Sequence, residues 1–333
     1  MITPVTTDAP VNIQQNDYQP STNDLRSFDR DDITAIIKTF VLRQFVKKEV
    51  KENEKQQILT DVTLYDLESN QKLYGHNEDT EHFAASINKL PVTLLLMENL
   101  QAESVTLDTT VSWAASDQRA GNGIYDQPGA VTTATVRQVL HDMLNRSGNT
   151  AVRIIVNKVL GGNAAVNARL AAKPELQHTY LIPVDADRFY LGNTTSKESL
   201  WVLREILKED ASYARIIKDF MRTNIFVNDG VRSQLAGNDY ITLVNKTGLL
   251  YDPEGNNVHD VGVIYNAKTG KSYGYSVLTT SPNDAVTPRA DQSIKNIGKY
   301  FLRFAGDKPM QQTTQQPQTL SAPATQPETK ILY

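Results

Sequence analysis

Strand-like segments stand near both ends of this chain with a long helical block between them, and this order constrains the fold more than any other feature. Val62-Thr63-Leu64-Tyr65-Asp66-Leu67 has the apolar and β-branched content of a strand. Ser69-Asn70-Gln71-Lys72 is turn chemistry, and residues 72–75 return, which predicts a hairpin. Three further strand-like segments, 240–245, 261–266 and 272–280, come only after a mainly helical block at about 86–235. That block is broken at 121–129 and 174–193. A helix opens the folded part, capped by Asp31 or Asp32, with Ile33, Ile36, Ile37, Phe40, Val41 and Phe45 as its apolar stripe. Another closes it near 290–304, carrying Ile294, Ile297, Tyr300, Phe301 and Phe304. Strands from both ends can share one antiparallel sheet with the terminal helices packed on it. The expected architecture is α+β, with that sheet flanked by helices plus an all-helical lobe, and a cleft between the lobes is a natural site.

The flanks are different in kind. Residues 1–30 are rich in Thr, Asn, Gln, Asp and Pro, and 308–333 form a Pro/Gln/Thr-rich tail. Both are expected to be disordered, leaving 31–307 as the folded domain. The formal net charge of -4 lacks the basic stripe of a nucleic-acid protein. The absence of cysteine removes disulfides, thiolate nucleophiles and cysteine metal sites. His76, His82, His141, His178 and His259 show no ligand spacing, so no metal and no cofactor is expected. No apolar run reaches membrane-span length, and residues 1–20 lack the basic-then-apolar order of a signal peptide.

Three short patterns carry chemistry. In Ser86-Ile87-Asn88-Lys89, ahead of the helical LPVTLLLMENL, Lys89 lies one turn beyond Ser86 on the same face. A serine hydroxyl is a poor nucleophile until a base takes its proton, and a buried lysine can lose its own. The competing role for Ser86 is a helix cap. Ser-x-x-Lys also occurs at Ser69–Lys72, in the hairpin turn. The second pattern is Ser147-Gly148-Asn149, between two helical runs, where a hydroxyl can relay a proton and an amide can hold a substrate carbonyl. A capping serine in a helix connection is its ordinary role. The third is Lys246-Thr247-Gly248, continuing the strand-like ITLVN, where cation and hydroxyl can attract a carboxylate and glycine permits close approach. Its double at Lys268-Thr269-Gly270 sits in a turn, and Ser281-Pro282-Asn283 merely follows the last strand.

In this order, with similar separations, the three patterns resemble the signature of class A β-lactamases and penicillin-binding proteins. The likeness extends over about 60–306: residues 61–92 resemble the family's first hairpin running into its nucleophile helix, and 132–162 its paired central helices. The resemblance implies a penicillin-recognising serine hydrolase or transferase that acts through an acyl-enzyme on D-Ala-D-Ala-type peptides or β-lactams. Ser86 would be the nucleophile, Lys89 its base and Ser147 the proton shuttle, with Lys246 in the catalytic set and, with Thr247, as the carboxylate-binding pair. Asn149, Thr247, Gly248 and Leu249 would bind substrate, with the N–H groups of Ser86 and Leu249 as oxyanion hole and Tyr125 as a wall of the cleft. A β-lactam or a peptidoglycan stem peptide would be the partner, which places the protein outside the cytoplasm or in the cell envelope.

The chain departs from the β-lactamase pattern at two places. Gly148 stands where the second motif usually has Asp. The stretch 176–196, similar in place to the loop carrying the deacylating glutamate, has no Glu-x-x-Leu-Asn; its nearby acids are Glu175, Asp185 and Asp187. Asp185 and Asp187 fit a turn or a pair with Arg188. A D,D-peptidase is therefore expected ahead of a β-lactamase. His259 reads as a satisfied strand-end histidine or a group near the carboxylate site. No Gly-x-Ser-x-Gly supports a Ser-His-Asp triad. The competing class is a non-catalytic cell-wall-binding module.

Overall fold

A computed structural model describes residues 30–182, 192–208, 213–235, 237, 239–251 and 255–306. The expected sheet is there. Strands β1 (Leu59–Asp66) and β2 (Gln71–His76) from the first part of the chain join β8 (Ile241–Leu250), β9 (Asn256–Asn266) and β10 (Ser272–Ser281) from the last. The order is β2-β1-β10-β9-β8, antiparallel throughout. The chain ends meet where β1 pairs with β10, Leu59 opposite Thr280 and Asp66 opposite Tyr273.

Alternation along the strands gives the sheet two apolar faces. Leu243, Ile264, Tyr275 and Val277 face α1 (Arg30–Glu54) and α8 (Thr287–Ala305). Val244, Val261, Val263 and Leu278 face the helical lobe, built around α2 (Lys89–Gln101), α3 (Val136–Asn145) and α6 (Ser196–Ile206). On α8, Ile294, Ile297 and Phe301 are buried as their spacing predicts, and Phe301 packs edge-on against Tyr273 and Tyr275. Phe301→Ala is expected to lower unfolding stability by about 3–5 kcal/mol, read from a denaturant melt; a loss below about 1 kcal/mol would show that the face is not held by this ring.

Three readings need correction. Helix α1 begins at Arg30, so Asp31 and Asp32 stand inside its first turn rather than before it. Its buried stripe is Leu42, Val46 and Val50, whereas Ile33, Ile36, Ile37 and Phe40 are 39–60% exposed. The helix carries apolar residues on two faces, and only its second half lies against α8, where Phe45 stacks on Tyr300. The middle block is not purely helical: β4 (Thr110–Ser112) pairs with β5 (Thr133–Thr135), and β6 (Tyr180–Leu181) and β7 (Gly192–Thr194) form a small sheet with β3 (His82–Phe83), which precedes the block. These strands are too short to leave a periodic signal.

Candidate active site

The segment from β3 into α2 carries Ser86. His82–Phe83 pairs with β7, a 3₁₀ turn spans Ala85–Asn88, and α2 follows at Lys89 without a break. Ala85 has φ +46°, a left-handed conformation that costs an L-residue about 1–2 kcal/mol. Ser86 caps no helix; its Oγ accepts a hydrogen bond from Lys89 Nζ at 2.7 Å. Lys89 is 2% exposed and also donates to Asn149 Oδ1 at 3.1 Å. Burial pushes its ammonium down to about 8, against the pull of Asp126 and Asp142, whose charges favour the protonated form.

Ser147 sits between α3 and α4 (Asn149–Ile154) with φ +58°. It too caps nothing, since Gly148 holds the N-cap position of α4 and supplies no side chain. Instead Ser147 Oγ accepts from Lys246 Nζ at 2.9 Å, across a chain separation of 99 residues. Lys246 lies inside β8 rather than at its end, because that strand runs on to Leu250. Its ammonium also donates to the carbonyl of Thr247 at 2.7 Å. Burial holds Lys246 well below the usual lysine range, and the neighbouring Lys89 charge acts in the same sense.

Among the described residues β8 is an edge strand, paired only with β9. Gly248 lets it approach the serine turn: a Cβ there would stand 3.1 Å from Ile87 Cγ1 and 3.2 Å from the carbonyl of Ala84. Ser86, Lys89, Ser147, Asn149, Thr247, Gly248 and Leu249 line one cleft of about 1270 Å³. Two turn serines, each bonded to a buried lysine, thus open on one cavity. The arrangement can move a proton from one hydroxyl while the other hydroxyl takes or gives one elsewhere in the same space.

Tyr125 is the exception. Its ring is 4% exposed and packs edge-on against Trp113 in the helical lobe, so it does not wall the cleft. Asn122 of the same loop does, and Phe226 faces Lys246 from the other side. Neither residue carries a sequence signal that marks it.

His259 lies within β9, 1% exposed, at the cleft lining. Nδ1 accepts from the Thr279 N–H at 3.2 Å, which leaves Nε2 to donate to the carbonyl of Phe83 at 2.7 Å. Burial lowers it to about 3, so it is a neutral brace behind the serine segment rather than a cation for a substrate carboxylate. Beside it, His82 faces Asp61 at 3.2 Å in a fully buried pair. Of the three acids considered for deacylation, Glu175 is exposed and does not line the cleft, and Asp185 and Asp187 lie outside the described residues, as does Arg188. Two decoys sit as expected: Ser69 donates its N–H to Asp66 in the β1–β2 turn, and Gly270 has φ +72° in the β9–β10 turn. The third does not, since Ser281 is the last residue of β10 and Pro282 and Asn283 line the cleft. Among the described residues no three His, Asp or Glu side chains are grouped as a metal ion would need.

Residues 42–304 match the model of the β-lactamase enzyme family, and the chain belongs to that family. Among solved structures, a β-lactamase from Sphaerobacter thermophilus is 20% identical with a TM-score of 0.68, the match covering 80% of this chain and 98% of that one. PBP-A is 20% identical with a TM-score of 0.66, covering 78% of this chain and 95% of its own; a point mutant of it, seen as an acyl-enzyme complex with penicillin G, matches equally. The chromosome-encoded β-lactamase of Vibrio parahaemolyticus is 16% identical, TM-score 0.65, covering 78% and 98%. At these identities the likeness is one of fold. No curated protein matches the sequence.

Proposed function

We propose that this protein is a penicillin-recognising serine acyl-enzyme hydrolase or transferase, with Ser86 as nucleophile and Lys89 as its base. The observation that carries this reading is the 2.7 Å contact between Ser86 Oγ and a buried Lys89 whose ammonium titrates near 8. At neutral pH about a tenth of such a lysine is unprotonated and able to accept the serine proton. Attack on a β-lactam or peptide carbonyl then forms an ester on Ser86. Ser147, bonded to Lys246, is the group that hands a proton to the leaving nitrogen. The N–H groups of Ser86 and Leu249 receive the oxyanion. Asn149 and Thr247 orient substrate, and Lys246 and Thr247 draw its carboxylate.

The D,D-peptidase-like activity on D-Ala-D-Ala-type stem peptides is preferred over β-lactam hydrolysis. Among the described residues no carboxylate is hydrogen-bonded to Ser86, to Lys89 or to the Asn149 side chain, and no glutamate lines the cleft. Of the carboxylates among the described residues, those lining the cleft are Asp229, Asp284 and Asp291, and none is bonded to the Ser86–Lys89 pair; without a base placed there to activate water, an ester formed with a β-lactam persists. That the PBP-A mutant has been captured as a penicillin G acyl-enzyme agrees with this chemistry on the same fold. The substrates place the protein outside the cytoplasm; among the described residues no helix is long and apolar enough to cross a membrane.

Intact mass followed over time after adding penicillin G tests the reading. A lasting adduct of the drug's mass on Ser86 is expected. A transient adduct with rapid loss of the drug would make the protein a β-lactamase. No adduct from folded protein and several β-lactams would favour a non-catalytic wall-binding module.

A further inference from the structure

We propose that Asp142, with Asp126, is a positioning residue for Ser147 and Asn149, supplying from outside the second motif the carboxylate that Gly148 leaves out of it. The proposal rests on the functional reading above and extends it to residues outside the three motifs.

Asp142 lies on the last turns of α3 and is fully buried. One oxygen, Oδ1, accepts the N–H of Ile124 at 2.8 Å. The other, Oδ2, has no hydrogen-bond partner among the described residues and points at the Ser147 turn. A Cβ on Gly148 would stand 2.2 Å from that oxygen, and a Cβ on Gly123 2.4 Å from it. The backbone carbonyl of Asp142 also accepts the N–H of Gly148 at 3.1 Å. Asp126 holds the other side of the turn: Oδ2 accepts from Gly123 and Asn149, at 2.8 and 3.1 Å, and Oδ1 accepts from Thr150 at 2.8 Å. Ser147 keeps its left-handed backbone inside this clamp.

Glycine at 148 is not there for its backbone freedom. With φ −53° and ψ 125°, the position suits any L-residue. What excludes a side chain is the Asp142 carboxylate, together with Ala151 Cβ at 3.2 Å. Positions 142 and 148 therefore share one space, and a carboxylate can enter it from either backbone but not from both.

The pair also bears on charge. The groups facing Lys89 are Ser86, Asn149, Asp126, Asp142 and, across the cleft, Lys246. Those facing Asp142 are Asp126, Arg146, the N–H groups of Ile124 and Tyr125, and the Tyr125 phenol. Burial raises the Asp142 carboxyl to about 6, with the Asp126 charge adding to it, so Asp142 is anionic where Lys89 titrates. Its negative charge raises the proton affinity of Lys89, and removing it lowers that affinity.

Two sets of variants test this. Asp142→Asn keeps an oxygen for Ile124 and removes the charge. The pH at which penicillin acylation reaches half its maximal rate should fall by about half a unit. A purely structural part for Asp142 would change the rate and leave that midpoint in place, and an unmoved midpoint overturns the charge argument. Gly148→Asp alone should lose at least about tenfold in acylation rate and several degrees in Tm. The double variant Asp142→Ala, Gly148→Asp should recover both, the rate to within about threefold of the parent. A well-tolerated Gly148→Asp, or a double variant no better than the single, overturns the shared-space proposal. The Tm comparison needs no β-lactam. If the parent protein takes no penicillin, the functional reading fails while the coupling of 142 to 148 is still decided by the melts.

Discussion

Ser86→Ala is expected to abolish covalent labelling by penicillins while leaving the fold intact. The serine is half-buried and its hydroxyl accepts one hydrogen bond, from Lys89. Loss of that bond leaves Lys89 its contact with Asn149 Oδ1, so the stability change should stay near about 1 kcal/mol. The chemical loss is total, because the ester has no other oxygen to form on at that place. Intact mass after incubation with penicillin G, beside a thermal melt, gives both quantities. Labelling that survives in a folded Ser86→Ala protein sinks the assignment. Residual mass mapped to Ser147 would move the nucleophile to the second serine–lysine pair.

Lys89→Ala should slow acylation by about 10²–10⁴-fold. The more telling variant is Lys89→Arg, which keeps a cation but cannot surrender its proton at any working pH. If Lys89 acts as a base, both variants are slow. If only its positive charge matters, arginine restores the rate, and Lys89 leaves the base role. The parent's rate should rise with pH through about 8, since the base is the unprotonated lysine and burial has brought its titration down to that value. A rate that falls with pH across the same window would require the protonated lysine instead. Removing the cation also relieves Lys246, whose proton affinity Lys89 depresses. Ser147→Ala in the same background separates the two effects.

How much of this was legible in the sequence depends on how local each contact is. Ser86 and Lys89 are three residues apart at the start of a helix, so their juxtaposition follows from helical geometry. The Lys246–Ser147 contact spans 99 residues and depends on how the edge strand docks against the helical lobe, which no periodicity encodes. The order of the motifs, through the family resemblance, put both residues in one site but did not foretell their contact. The sheet built from both chain ends was legible from strand content and element order. The choice of α1's buried face was not, because apolar residues occupy two of its faces and the packing of α8 selects one. Tyr125 was misread for a similar reason: in a single 3₁₀ turn, Ile124–Asp126, the direction of a side chain is set by its neighbours, here Trp113. Asp126 and Asp142 left no signal, since a lone aspartate in a loop or at a helix end ordinarily means a turn or a cap.

The closing of the sheet by strands from opposite ends of the chain also decides when the site can exist. Its central pairing joins β1 to β10, and Gly248 meets the serine turn only once β8 has docked on β9. Such contacts have high contact order, so the helical lobe can collapse early while the sheet waits for the last strand. While a ribosome still holds residues up to Ser281, Ser86 and Lys89 can already be juxtaposed but Lys246 cannot yet stand opposite Ser147.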